Sequence, residues 1–371
     1  MRSDRRIRYA VVGMGGIAQE AVLPAFIHAE NSELSALVSG DEEKLRELGA
    51  KYHCRTYRYE QYEECLSSGI DAVYIAVPNH LHRRYAEMAA RKGVHILCEK
   101  PLAQNEQECK AIIAAARSGG VKLMTAYRLH FEAANLEAIR ICDSGELGDL
   151  RIFNSVFCQQ VAEGNVRLTE TSEQGGGPLF DMGVYCINAA RYLFRDEPIE
   201  VVAFRCNNGE RRFEKTDEMV SVVLRFPKDR IANFTVSFGA ASIARYSVIG
   251  TEGIISAEPG YEYSSDIRLT IARGGKTEQK VFPKRDQFAP ELVYFSQCIL
   301  EDREPEPDGE EGLIDVQIVR AAYRACTSGK VTSIESAHRK RRPEPSQEIQ
   351  RPAVEEPELV HAELPSGSKK N

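Results

Sequence analysis

The chain has 371 residues, 43% of them hydrophobic, which is enough for two domains at about 150 residues each. Its net charge of −7 gives no electrostatic basis for binding nucleic acid, and no basic stripe interleaved with aromatics is present. No apolar run reaches the ~18 residues of a membrane span, and ten cysteines without a C-x-x-C pair argue against a compact metal site and for reduced thiols in a cytoplasmic protein.

The first six residues, Met1-Arg2-Ser3-Asp4-Arg5-Arg6, precede an apolar stretch in the manner of a signal peptide. Residues 7–12 are better read as the first strand, because cleavage there would destroy the turn that follows. That turn, Gly13-Met14-Gly15-Gly16-Ile17-Ala18, fits G-x-G-x-x-G/A between a strand and a helical run over 17–28. Gly13 permits the tight turn, Gly15 lets the backbone approach a pyrophosphate, and Ala18 lets the helix pack closely on the strand. Free N–H groups at the positive end of the helix then face the phosphates. Gly13, Gly15, Gly16, Ile17 and Ala18 form the expected phosphate cradle.

Further strand patterns cover 34–38, 72–77, 95–98 and 122–127, and helical patterns cover 41–52, 81–92 and 106–118. This βαβ series predicts a doubly wound parallel sheet, a Rossmann domain over 1–127. After a helix at 132–143 the pattern changes. Strands at 151–160, 201–206, 219–226, 231–238 and 244–249 look successively antiparallel, one helical run at 181–194 interrupts them, and helices at 289–300 and 312–328 close the globular part. An α+β domain with a large, mostly antiparallel open sheet is expected over 128–334, for substrate binding and oligomerisation. The open face of such a sheet calls for a second subunit, so a homodimer or homotetramer is expected. Residues 335–371 hold five of the sixteen prolines and many charges and read as a disordered tail. Within it, Arg339-Lys340-Arg341-Arg342 reads as a solvated charged segment, with a recognition patch as the alternative.

Several clusters fall at strand ends, where this fold binds ligands. An acid after strand two would bind the ribose 2′-OH of NAD. Here the tip is Ser39-Gly40, and Lys44 lies one helical turn on, a hydroxyl and a cation that suit the 2′-phosphate of NADP. Asp41 keeps NAD open, although its place suggests a helix N-cap. Pro78 and Asn79 follow the next strand, and Asn79 either offers its amide to the cofactor or caps the helix from Leu81. His82 is taken with the cofactor residues. His80 and His82 resemble metal ligands only superficially, since no third ligand is near in sequence, and no metal is expected. Glu99-Lys100-Pro101 follows the strand at 95–98. A lysine there is costly to bury unless paired, so it either bridges to Glu99 or bonds a substrate hydroxyl, and its X-Pro bond admits a cis peptide. Further on, Gly175-Gly176-Gly177 precedes Asp181 and Tyr185, which share a helix face, with Asn188 continuing it.

Taken together, the glycine turn at 13–18, Glu99-Lys100-Pro101, Tyr127-Arg128 and the block 175–188 resemble the glucose–fructose oxidoreductase/inositol dehydrogenase (Gfo/Idh/MocA) family over residues 7 to about 334. The resemblance is nearest to its sugar-oxidoreductase branch, which carries tyrosine where many members have histidine. It implies Lys100, Asp181 and Tyr185 as the catalytic group, Ser39 and Lys44 as 2′-phosphate contacts, and Arg128 as a contact of cofactor or substrate. Val166-Arg167 stands where the family often shows Trp-Arg, and this chain has no tryptophan. The expected reaction is hydride transfer between NADP, with NAD possible, and a carbohydrate hydroxyl or carbonyl. A phenol ordinarily titrates near ~10, so base catalysis by Tyr185 near neutrality calls for a neighbouring cation, the role given to Lys100. Two other readings follow from the same residues: an enzyme that retains its cofactor while coupling two sugars or cleaving glycosides, and a non-catalytic sensor.

Overall fold

The computed structural model describes residues 5–335, 339 and 341–362. Six short strands, β1 (Ile7–Val12), β2 (Ser32–Val38), β3 (Arg55–Tyr57), β4 (Ala72–Ile75), β5 (His95–Glu99) and β6 (Leu123–Ala126), pair in parallel in the order β3-β2-β1-β4-β5-β6. Helices cover both faces of this sheet, so its central strands are apolar nearly throughout, and all four residues of β4 are buried. The strand order reverses between β1 and β4, which opens a crevice at their carboxyl ends. β1 leads through the glycine turn into a helical run over 16–28 whose middle, Ala18–Val22, is widened to π geometry. α1 (Glu42–Tyr52), α2 (His82–Arg91) and α3 (Glu106–Ser118) follow. Asp41 starts α1 by accepting the N–H groups of Glu43 and Lys44, and His53 ends it in the left-handed region.

The second sheet has nine strands: β7 (Leu150–Cys158), β8 (Glu200–Cys206), β9 (Met219–Phe226), β10 (Arg230–Ser237), β11 (Ile243–Gly250), β12 (Gly253–Glu258), β13 (Ile267–Arg273), β14 (Lys276–Phe282) and β15 (Thr332–Ser333). Their order is β14-β13-β12-β11-β7-β10-β9-β8-β15. The expectation of successive antiparallel strands fails at one place, because β10 lies parallel to β7. A parallel pair needs a crossover, and the segment between these strands supplies it with a helix and a hairpin. Side chains alternate along β9, where Val220, Val222, Leu224 and Phe226 are buried. The inner face packs on α4 (Ala133–Asp143), α5 (Val184–Phe194) and α7 (Gly309–Ser328), whereas α6 (Ala289–Leu300) packs under the first sheet. The outer face carries exposed apolar side chains, with Phe204 68% exposed beside Val223 and Ile231.

Two further expectations are corrected. The helical run expected from Asp181 begins earlier, as a π turn over Leu179–Gly183, and becomes α-helical at Val184. The described part of the charged tail is packed against the body. The Arg339 side chain, 8% exposed, reaches Glu306 at 2.5 Å, Asp308 at 2.6 Å and Glu311 at 3.1 Å. Arg342 reaches Glu197 at 2.9 Å. Farther along, Arg351 pairs with Glu30 at 2.6 Å and donates to the His28 carbonyl. The carboxylates that recruit these arginines lie far away in sequence, so composition alone cannot show the pairing. Lys340 lies outside the described residues.

Candidate active site

The glycine turn is fixed by sterics. Gly13 donates to the Val38 carbonyl at 2.9 Å and has φ of +96°, and a Cβ there would lie 2.5 Å from the Ala76 carbonyl oxygen, so only glycine fits. A Cβ on Gly15 would instead meet nothing within 4 Å, which leaves open space over the turn at the start of the helix. That space and the helix end suit a pyrophosphate. At the end of β2, the Ser39 hydroxyl accepts the N–H of Asp41 at 3.2 Å, Gly40 packs on the Tyr59 ring, and Lys44 lies half-buried in the first turn of α1. Asp41 is the N-cap expected from the sequence.

Asn79, next to Pro78, caps nothing; its amide donates to the Gly175 carbonyl at 2.7 Å. Gly175 has φ of +83°, and a Cβ on it would press on Asn79 and Gln104, each at 3.1 Å, so glycine lets the loop of the second domain close on the first. His82 is placed differently from its expected position on the cofactor. It is wholly buried, with Nε2 2.9 Å from the Val77 carbonyl and Nδ1 3.0 Å from that of Pro101. Burial pushes its pKa down to about 4. The ring braces the two loops that bear Asn79 and Lys100 and leaves no face for a ligand. His80 pairs with Glu170 at 2.8 Å.

Lys100 directly follows β5 and is joined to Pro101 by a cis bond. Its side chain is 11% exposed. Nζ donates to the Asp181 carbonyl at 2.8 Å and to Asp181 Oδ1 at 3.1 Å, and lies 4.7 Å from the centroid of the Tyr185 ring. The guanidinium of Arg128 lies 5.1 Å from the same centroid. Arg128 is itself buried, held by Gln287 and the Tyr261 carbonyl, and its Nε has no protein partner among the described residues. Burial works to lower the pKa of Lys100, but the acidic groups of Tyr185, Asp181 and Glu99 outweigh it and the net direction is up. For Asp181 burial works to raise the pKa, and the cations Arg167 and Lys100 overcome it, so the net direction is down. The result is a charged lysine and a charged carboxylate in contact. Glu99 turns the other way, accepting the Tyr74 hydroxyl at 2.7 Å, and burial pushes its pKa up.

The structure thus brings Lys100, Asp181, Tyr185 and Arg128 together but takes Asn188 away. Asn188 is buried one turn farther along α5, bonded to His130, Glu311 and Asp315 at 2.8–2.9 Å. Arg167 carries no role in the sequence reading, where it appears only as the matching half of Val166-Arg167 against the family's Trp-Arg. Its Nη1 lies 2.8 Å from Asp181 Oδ2, an ion pair off the hydrogen-bond direction, and also donates to Gln159 at 2.9 Å. Tyr263 and Gln287, which hold Arg128, also went unnoticed, since an isolated aromatic or amide carries no local signal.

A six-stranded Rossmann sheet with an open phosphate turn, facing a lysine, a carboxylate and a phenol, defines a dinucleotide-dependent oxidoreductase. The chain belongs to the Gfo/Idh/MocA family: it matches the oxidoreductase family with an NAD-binding Rossmann fold over residues 7–127 and the GFO/IDH/MocA C-terminal domain over 135–256. It is 32% identical over 335 residues to the D-xylose 1-dehydrogenase [NADP(+)] of Haloarcula marismortui, covering 87% of this chain and 92% of that one. The aldose-aldose oxidoreductase of Caulobacter crescentus, solved in complex with glycerol, superposes with a TM-score of 0.84 at 35% identity, covering 89% of this chain and 100% of that one. The 3-ketoreductase KijD10 of Actinomadura kijaniata, solved with NADP and TDP-benzene, gives 0.79 at 27% identity, covering 86% and 98%. The expected NADP cofactor agrees with the xylose dehydrogenase and the 3-ketoreductase.

Proposed function

We propose that the protein transfers hydride between NADP and a hydroxyl or carbonyl of a sugar, an aldose or a related carbohydrate, with Tyr185 as acid/base aided by Lys100. The observation that carries this reading is the contact of one buried lysine with both Asp181 and the face of Tyr185, at the carboxyl end of β5. When bound, NADP supplies the hydride acceptor or donor. The residues that would hold it are the glycine turn from Gly13 to Ala18, Ser39, Gly40 and Lys44 at the adenosine end, and Pro78, Asn79, Glu99, Lys100 and Arg128 toward the nicotinamide. Tyr185 takes the proton of the sugar hydroxyl, or returns it to a carbonyl oxygen. Lys100 and Arg128 put two positive charges beside the ring that handles the proton, and Asp181 holds Lys100 in place. Tyr185→Phe keeps the ring and its cation contacts and removes only the hydroxyl. It is expected to lower kcat by about 10²–10⁴ while leaving NADP binding intact, as read by steady-state kinetics and by titration of NADP⁺. Full activity in this variant overturns the assignment.

A second reading, retention of the cofactor while one sugar is oxidised and another reduced, is favoured by the likeness to a protein named aldose-aldose oxidoreductase. Stoichiometric NADP surviving gel filtration supports it, and its complete loss there opposes it. The exposed apolar row on the nine-stranded sheet supports assembly as a homodimer or homotetramer, and the reduced thiols support a cytoplasmic setting.

A further inference from the structure

The C-terminal segment ends its described course at the adenosine end of the cofactor crevice. Val360 is clamped there by one side chain: its N–H donates to Gln19 Oε1 at 2.7 Å, and its carbonyl accepts from Gln19 Nε2 at 2.8 Å. Gln19 is almost wholly buried and also donates to the Met14 carbonyl at 2.9 Å, inside the glycine turn. The next residue, His361, has φ of +46°, a region that non-glycine residues seldom adopt. The imidazole thereby meets two acids: Nδ1 lies 3.0 Å from Asp41 Oδ2 and Nε2 lies 3.0 Å from Glu43 Oε2. The contact to Asp41 is a hydrogen bond, and the contact to Glu43 is an ion-pair distance that the protonated ring satisfies.

Asp41 stands two residues beyond Ser39, where this fold places the adenosine ribose. A free carboxylate there accepts the 2′-hydroxyl of NAD and repels the 2′-phosphate of NADP. In this chain the carboxylate is fully committed. Oδ1 accepts the N–H groups of Glu43 at 3.0 Å and Lys44 at 3.1 Å, and Oδ2 takes His361. We propose that His361, carried to this place by the C-terminal segment, selects NADP over NAD by occupying and neutralising Asp41 and Glu43 beside Ser39 and Lys44. The inference rests on the reading of Ser39 and Lys44 as 2′-phosphate contacts. It adds a selectivity residue from a segment some 320 positions away in sequence.

The test is calorimetric titration of the full chain with NADP⁺ and NAD⁺, and with adenosine 2′,5′-bisphosphate and AMP, which carry only the adenosine end. The unchanged protein is expected to prefer NADP⁺ and the bisphosphate. His361→Ala is expected to reduce both preferences by about two- to fivefold, the scale of one exposed ion pair. Adding Asp41→Asn, which still caps α1, is expected to restore them, because the carboxylate that His361 masked is gone. Unchanged preferences in His361→Ala, or no restoration by Asp41→Asn, overturn the masking role while the cofactor reading stands. A preference of the unchanged protein for NAD⁺ and AMP overturns the reading of Ser39 and Lys44, and this inference with it.

Discussion

Lys100 is held charged by its surroundings rather than by solvent, and Asp181 is the partner that does most to fix its position, taking two of its hydrogen bonds. The sign of the pH effect follows. Burial alone lowers a lysine's pKa; here the nearby acidic groups outweigh it and raise it, so the ammonium is held more firmly than that of a free lysine. Asp181→Asn removes one of the groups that raise it and leaves Arg167, which works in the lowering direction, without its carboxylate. Lys100 then loses its proton at a lower pH than in the unchanged protein. The expected outcome is an alkaline limb of the kcat profile displaced to lower pH, together with reduced kcat; an alkaline limb that stays in place would refute the pairing as the source of the charge. Lys100, Asp181 and Tyr185 were legible in the sequence because each sits in a motif at a strand or helix end. Arg167 was not, because its partner is fourteen residues on and the loop between them has no periodicity from which a contact can be read. Asn188 misled for the opposite reason: three residues beyond Tyr185 it lies about 4.5 Å farther along α5, where His130, Glu311 and Asp315 occupy its amide.

Elements with a clear period were the readable ones. Helix α3 and strand β1 occupy the expected residues, since each is bounded by a cap or a glycine turn and buries a face with the right repeat. Strand direction was not readable: β10 has the same two-residue alternation whether it runs parallel or antiparallel to β7, and only the intervening crossover decides. Contacts between elements also escape local pattern, and one of them sets a measurable pH dependence. Glu137 on α4 accepts from Arg140 at 2.7 Å and from Lys280 on β14 at 2.7 Å, tying the helix to the sheet edge. The bonds from Arg140 and Lys280, against the opposing effect of burial, hold its pKa down from the ordinary 4.5 to about 2. A depressed folded-state value means the stabilisation is fully present above the unfolded value and is lost as pH falls through the range from 4.5 to about 2. Glu137→Gln is therefore expected to be less stable than the unchanged protein at neutral pH, with the difference shrinking as the pH is lowered through that range in urea-unfolding measurements. A difference independent of pH would show that the ion pair contributes nothing.

Across the whole molecule, the two domains and the C-terminal segment meet in one buried ionic cluster behind the site helix. Arg191 on α5 is wholly buried and holds Glu197 at 2.5 Å, and Glu311 and Asp315 of α7 each at 2.7 Å. Tyr127, just after β6, donates to Asp315 at 2.5 Å, so the Rossmann domain joins the same cluster. The four buried acids Glu197, Glu306, Glu311 and Asp315 face three arginines, two of which, Arg339 and Arg342, come from the segment that composition marks as a solvated tail. The imbalance is met within the cluster: Arg191 and Arg339, outweighing burial, pull the pKa of Glu311 down, whereas burial and the neighbouring Glu311 push that of Asp315 up. Without an arginine the remaining carboxylates are buried and uncompensated, and removing one partner of a buried ion pair costs about 3–5 kcal/mol. Arg342→Ala is thus expected to lower the unfolding free energy by about that amount, because Glu197 keeps only Arg191. Glu197→Gln in the same chain is expected to recover part of the loss, since the uncompensated charge is then gone. Denaturant unfolding of the two single variants and the double variant measures the coupling directly. A cost for Arg342→Ala below 1 kcal/mol, the scale of an exposed ion pair, would return the segment to the role its composition suggests and separate it from the stability of the fold.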